Sequence, residues 1–196
     1  AFLLEKIYHS SFSLQQLRSS MENSLSSFSP FWLPQSYEDH LLHKLLHLHL
    51  IEEQNELLLL TEEGKSFLLL QEPKQSLFFY HLPIHKRSFV TLRFSPPEKA
   101  VREAEKSLIP VLKKGWIDME NHLEATLVAL KETHTVTLQK KGKNWEYSLP
   151  SYTQEDILLL KSVLLEGLFE AGLVNLGLYG DKICFQATDL ARTLLE

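Results

Sequence analysis

His40, His43 and His47 recur at i, i+3 and i+7, with His49 close behind, a spacing that aligns imidazoles along one face of a helix. Three such rings could reach a zinc ion, but no Cys, Asp or Glu falls on the spacing to complete a tetrahedral set. We therefore expect a solvated helix face and no metal. A second group mixes Lys74, His81, His85, Lys86, Arg87 and Arg93 with Phe78, Phe79, Tyr80, Phe89 and Phe94. Bases stack on rings while cations track a phosphate backbone, so this mixture suits single-stranded nucleic acid. The plainer reading is a hairpin with buried rings and solvated cations. A third group is Lys140, Lys141 and Lys143 at a turn, with Trp145 and Tyr147 in the strand that follows. A projecting basic β-tip can lie along phosphates, and it can equally keep an exposed β-edge soluble. Trp145 is expected to anchor that tip to the domain.

Catalytic patterns are missing. The sequence has no Gly-x-Ser-x-Gly, no His-Glu-x-x-His, no phosphate loop and no dinucleotide fingerprint. The expectation is a protein that is not an enzyme and takes no cofactor. Cys184, the single cysteine, excludes an internal disulfide and fits a reducing compartment, hence a cytoplasmic or nucleoid-associated location. The most apolar stretch, 157–174, is broken by Lys161, Glu166 and Glu170, so it reads as an amphipathic helix and no membrane is expected. The chain starts without Met and shows no signal peptide, so we expect a piece of a longer protein.

Elements must place these residues. Leucine supplies 41 of 196 residues, against 7 Gly and 8 Pro, which favours helix and packing over a loop-rich all-β fold. Net charge is −5, too acidic for a protein that coats DNA through bulk charge. The charge is uneven: −6 over 1–72, +4 over 73–97 and −3 over 98–196. The basic middle stretch also holds Pro73, Pro83, Pro96 and Pro97, so domain boundaries are expected at its two ends.

Helices are expected at Phe2–His9, after a Ser13 cap (Leu14, Leu17, Met21), and after Ser36, where Leu41, Leu42, Leu45 and Leu46 form a buried stripe. The segment 24–34 reads as a packed loop. A short strand, Leu57–Leu60, then precedes a helix capped by Thr61. Leu77–Leu82 and Phe89–Phe94 alternate as strands. Ser95-Pro96-Pro97-Glu98 opens a helix to Lys114 that Pro110 should bend. Asp118 caps the next helix, with Leu123, Leu127 and Leu130 inward. Residues 134–149 form an inserted hairpin, with strands Thr135–Gln139 and Asn144–Leu149. Thr153 caps a long helix with Asp156 three residues on, and strands around Tyr179–Lys182 lead to a last helix capped by Thr188.

The stretch LHLHLIEEQNELLLLTEEGKSFLL resembles the end of a winged-helix domain: a third helix, the apolar pair Leu50-Ile51, a β-wing, then Thr61-Glu62-Glu63-Gly64 opening a helix. The C-terminal LLEGLFEAGLVNLGLYGDKICFQATDLARTLL repeats it, with Thr188 matching Thr61, Ala191 matching Gly64 and Leu194-Leu195 matching Phe67-Leu68. The resemblance implies a mainly α fold with small β-wings (α+β). It implies winged-helix domains at 1–72 and 98–196, a β-rich basic connector at 73–97, and the hairpin inserted in the second domain. It also implies that Tyr37, His40, His43, Lys44 and His47 form a groove-entering helix face. With Lys86, Arg87 and Arg93 of the connector and the hairpin lysines, these would contact DNA or RNA. With Lys114-Gly115-Trp116-Ile117 leading into a capped second helix and the third helix ending Glu170-Ala171-Gly172-Leu173-Val174, the second half is also similar to winged-helix modules of helicases and chromatin-remodelling motors. The acidic balance resembles the tandem winged-helix subunits that clasp kleisin chains, which implies a protein partner or a homodimer instead.

Overall fold

The structure is a computed structural model that describes residues 2–9, 12–13, 16, 37–87 and 89–196. It is an α+β protein with small antiparallel sheets, and it divides into two compact units, 1–90 and 91–196.

Unit 1 begins with α1 (Phe2–His9), which buries Leu4 and Ile7 and leaves Tyr8 exposed. Strand β1 (Phe12–Ser13) follows. Ser13 Oγ accepts from the Gln16 N–H while Gln16 Oε1 accepts from the Ser13 N–H, a reciprocal helix start at the place the sequence predicts a Ser13 cap. The helix expected beyond it, the 24–34 loop and the Ser36 cap lie outside the described residues. Helix α2 (Tyr37–His47) buries Leu42 and Leu45. Strands β2 (Ile51–Gln54) and β3 (Leu57–Leu60) form a hairpin turned by Asn55 and Glu56, both at positive φ. β3 is central, flanked by β1 and β2, and Leu58 at its inner face is fully buried beside Leu50, Ile51 and Phe67. Helix α3 (Glu62–Leu68) starts at the Thr61 cap.

The basic connector is not β. Residues 72–80 form α4 (Glu72–Tyr80), with Pro73 in the first helical turn, and Ile84–Lys86 is a 3-10 turn. Pro73 presets a helical φ, and Phe78 and Phe79 both turn edge-on to Phe67, an arrangement that alternation on a strand would not allow. Of 89–94, no residue is in a strand. The boundary between units falls at 90/91, inside the stretch read as a connector.

Unit 2 opens with α5 (Glu98–Glu105), preceded by Pro97 with no side-chain cap, so Ser95 does not take the role expected of it. A 3-10 segment, Lys106–Val111, contains Pro110 and replaces the rest of the expected helix, because proline removes the donor that an α-helix needs there. Then come β4 (Ile117–Asp118) and α6 (Met119–Ala125), capped by Asp118. Leu123 and Leu130 are buried, but Leu127 is exposed beyond the helix end. β5 (Thr137–Lys141) and β6 (Asn144–Ser148) make the inserted hairpin, with strand ends shifted slightly from those expected. Helix α7 (Gln154–Ser162) begins with a full capping box between Thr153 and Asp156 and continues as a π turn, Val163–Leu168. β7 (Val174–Tyr179), β8 (Lys182–Ala187) and α8 (Asp189–Leu195) close the chain. β8 is central between β4 and β7, and Phe185 on it is fully buried with Met119, Leu108 and Leu164.

The two units end alike, bond for bond. Leu50 N–H donates to Leu45 O at 3.0 Å, and Leu173 N–H donates to Leu168 O at 2.8 Å, each closing its helix in a Schellman turn. The left-handed residue of each turn is His49 (φ 55°) or Gly172 (φ 70°). Thr61 N–H returns to Leu50 O, and Thr188 N–H to Leu173 O. Both threonine hydroxyls donate back to the turn, to His49 O and Gly172 O, and accept from Gly64 N and Ala191 N.

Candidate nucleic-acid interface

In unit 1, the face expected to read a groove is only partly presented. Tyr37 is 3% exposed, its ring stacked near His40, so it belongs to the core and not to a contact surface. His40 is half-buried, Lys44 is half-buried, and His43 and His47 stand exposed. Arg87 is also withdrawn: at 7% exposure it donates from Nε to Leu82 O at 3.0 Å and lies 5.4 Å from the Tyr80 ring centroid. Its guanidinium holds the turn after α4 together. Lys86 is half-buried and Arg93, in unit 2, is exposed. Among the described residues, no three His, Cys, Asp or Glu converge on a point where a metal could sit. None of the helices described is long and apolar enough to cross a membrane.

The helix of unit 2 that matches α2 carries different chemistry. Counting back from the Schellman residues, Glu166 and Glu170 occupy the places of His43 and His47. Glu166 is 3% exposed and accepts from the Thr91 N–H at 3.3 Å, while Ser162 Oγ donates to Thr91 Oγ1 at 3.2 Å. Thr91 thus packs on this face at Glu166 and Ser162, and the two carboxylates disfavour a phosphate there.

The exposed chemistry of unit 2 is on the inserted hairpin. Its base is fixed to the start of α7. Tyr152 Oη donates to Val128 O at 2.8 Å and accepts from Val128 N–H at 2.7 Å. Asp156, 3% exposed, accepts from Lys131 Nζ at 2.7 Å and from the Thr153 N–H and hydroxyl; His134 Nε2 lies 3.6 Å away and its ring packs edge-on to Tyr152. Burial would raise the Asp156 carboxyl, but the bonds from Lys131 and Thr153 outweigh it and hold the group below the usual carboxylate range.

Beyond that clasp, every residue from 135 to 149 is exposed. The register pairs Leu138 with Tyr147 and Lys140 with Trp145. Side chains alternate across a ribbon, so Val136, Leu138, Lys140, Trp145, Tyr147 and Leu149 share one face and Thr137, Gln139, Lys141, Asn144, Glu146 and Ser148 the other. Trp145 is 62% exposed, so the expectation that it anchors the tip is overturned. With every residue of 135–149 exposed, no part of the body covers the ring. Gly142 gives the positive φ (65°) of the tight turn and puts Lys143 at its end, while Lys141 Nζ lies 3.4 Å from Glu146.

Trp116 also lies on the surface of unit 2, 56% exposed. Its indole covers Gly177: a Cβ there would come within 3.1 Å of the ring. Glycine inside a strand pattern is the sequence signal for such a close approach. No protein-family model, no curated protein and no solved structure matches the chain.

Proposed function

We propose that the chain is a non-enzymatic, nucleic-acid-binding tandem winged-helix module of a larger DNA-handling protein, and that unit 2 binds through its inserted hairpin. The observation that carries this reading is the tip itself: Lys140, Lys141 and Lys143, all exposed, on a ribbon that projects from a hydrogen-bonded base. The matched Schellman turns, threonine caps and sheet orders of the two units support the tandem reading. The half-buried and exposed residues of α2 (His40, His43, Lys44 and His47) would add a second, weaker contact, with one lysine where the tip has three.

The test is binding to labelled duplex and single-stranded oligonucleotides across a salt series. Affinity should fall as salt rises, and changing Lys140, Lys141 and Lys143 together to Ala should lower it about equally across sequences. The slope of log K against log salt should shrink by roughly 0.9 for each duplex phosphate the lysines no longer neutralise. A protein that shows no binding at low salt, or binding indifferent to salt, is not this module. The reading as a kleisin-type scaffold would then stand in its place, favoured by the uncovered apolar side chains of the hairpin.

A further inference from the structure

We propose that the aromatic face of the hairpin is a platform for single-stranded nucleic acid, with Trp145 and Tyr147 stacking bases while the tip lysines hold the phosphates. This rests on the nucleic-acid reading above and narrows it to one class of ligand. The geometry has three parts. Trp145 and Tyr147 are 62% and 75% exposed, and as residues i and i+2 of β6 they point the same way, about 6.6–7 Å apart along the strand. Flat rings on one face at that spacing can each take one base of an extended strand, and they do so whatever the base, because every base has a π-face. Lys140 is paired directly across from Trp145 on the same face, and Lys141 and Lys143 follow at the turn. Lys140 thus lies beside the rings and Lys143 at the end of the turn, where the backbone of a stacked strand would run, while Lys141 is on the opposite face beside Glu146.

Charge and polarity choose among occupants. The ribbon 137–148 holds three lysines against the single carboxylate of Glu146. Protein interface cores are depleted in lysine, yet Lys140 is central to this face. A second copy would bring like charges together at the tips. A hairpin that enters a bilayer needs an apolar tip, and here the tip is Lys140-Lys141-Gly142-Lys143-Asn144 while Val136 and Leu149 are at the base. A polyanion with exposed rings satisfies both halves of the surface. It also accounts for a two-stranded ribbon with no layer packed on its apolar side, an arrangement only marginally stable alone.

The experiment measures binding of the whole chain to a labelled 12-mer of oligo(dT) and to a 12-base-pair duplex by fluorescence anisotropy, with Trp145→Ala, Tyr147→Ala and Trp145→Phe. Each alanine change should weaken oligo(dT) binding roughly 10-fold, leave the duplex within about 2-fold, and barely move the melting temperature. Trp145→Phe should restore most of the affinity, since a ring remains. If the alanine variants bind oligo(dT) as the parent does, the platform is wrong while the phosphate-binding tip survives. If the parent binds neither oligonucleotide, both fall. Unchanged oligo(dT) binding together with loss of a dimer in light scattering, or of binding to phosphatidylglycerol vesicles, would overturn the platform in favour of a copy of the chain or a membrane surface.

Discussion

His122 shows how much a single position can do in this fold. Its ring is 6% exposed, edge-on to Phe185 at 4.9 Å between centroids, and its Nε2 lies 3.5 Å from Ser107 Oγ and 3.4 Å from Thr126 Oγ1. Burial, with a smaller contribution from the charge of Lys114, pushes the imidazole down to about 4. An unfolded chain titrates this group near 6.5, so between those values the unfolded state binds the extra proton. Stability is therefore full above about pH 6.5 and falls as pH drops toward 4, the reverse of a histidine held by a carboxylate. Urea unfolding at pH 7 and at pH 5 should show a lower midpoint in acid, and His122→Asn should reduce that difference. A midpoint independent of pH over this range would mean that the folded state takes up the proton on this ring as readily as the unfolded chain does. Trp145 and Tyr37 mark the opposite lesson at this scale. The sequence offers Tyr37 as a contact residue and Trp145 as an anchor, but whether a ring is covered depends on residues far away in sequence: Tyr37 is packed into a core, and Trp145 is left uncovered.

Elements are legible where their signals are local. Thr61, Asp118, Thr153 and Thr188 all accept from the backbone N–H three residues on, because a hydroxyl or carboxylate at that place satisfies a donor the helix itself cannot. Alternation misleads in 77–82, where Pro73, visible in the sequence, starts a helix that turns Phe78 and Phe79 onto Phe67. The matched threonine-capped helices also separate local from tertiary causes. At Gly64 an added Cβ would lie 2.0 Å from Leu50 O, whereas Ala191 fills the same place in unit 2 fully buried. Helix α3 therefore sits closer to its Schellman turn than α8 does. Gly64→Ala should destabilise unit 1 by about 1–3 kcal/mol despite the better helix propensity of alanine, because the clash is with backbone. Ala191→Gly should cost unit 2 about 1 kcal/mol through helix entropy and the removal of a packed methyl group. Unfolding midpoints of the two variants settle it: a stabilising Gly64→Ala would show that α3 can move outward freely.

At the scale of the molecule, the hairpin stands apart from the stability of the unit that carries it. Unit 2 has its own core around Phe185, Leu108 and Leu164, and its own closing interactions, with Arg192 donating from Nε to Leu112 O at 2.8 Å and Lys113 paired with Glu196 at 2.8 Å. Residues 135–149 contribute no buried side chain to that core. Below them, Tyr152, Lys131 and Asp156 form the clasp, and it remains when the ribbon is gone. A fragment of residues 91–196 should therefore fold cooperatively, and replacing 137–148 within it by a short Gly-Ser link should leave its melting temperature within a few degrees. Function should divide the other way. The fragment should keep most of the oligonucleotide affinity and salt slope of the whole chain, because the three-lysine tip lies within it, whereas α2 of unit 1 offers a single lysine, Lys44. The ribbon-deleted fragment should bind nothing at physiological salt. If instead 1–90 carries the affinity at neutral pH and the ribbon deletion changes nothing, the helix of unit 1 is the contact surface, and the hairpin lysines only keep a β-edge soluble.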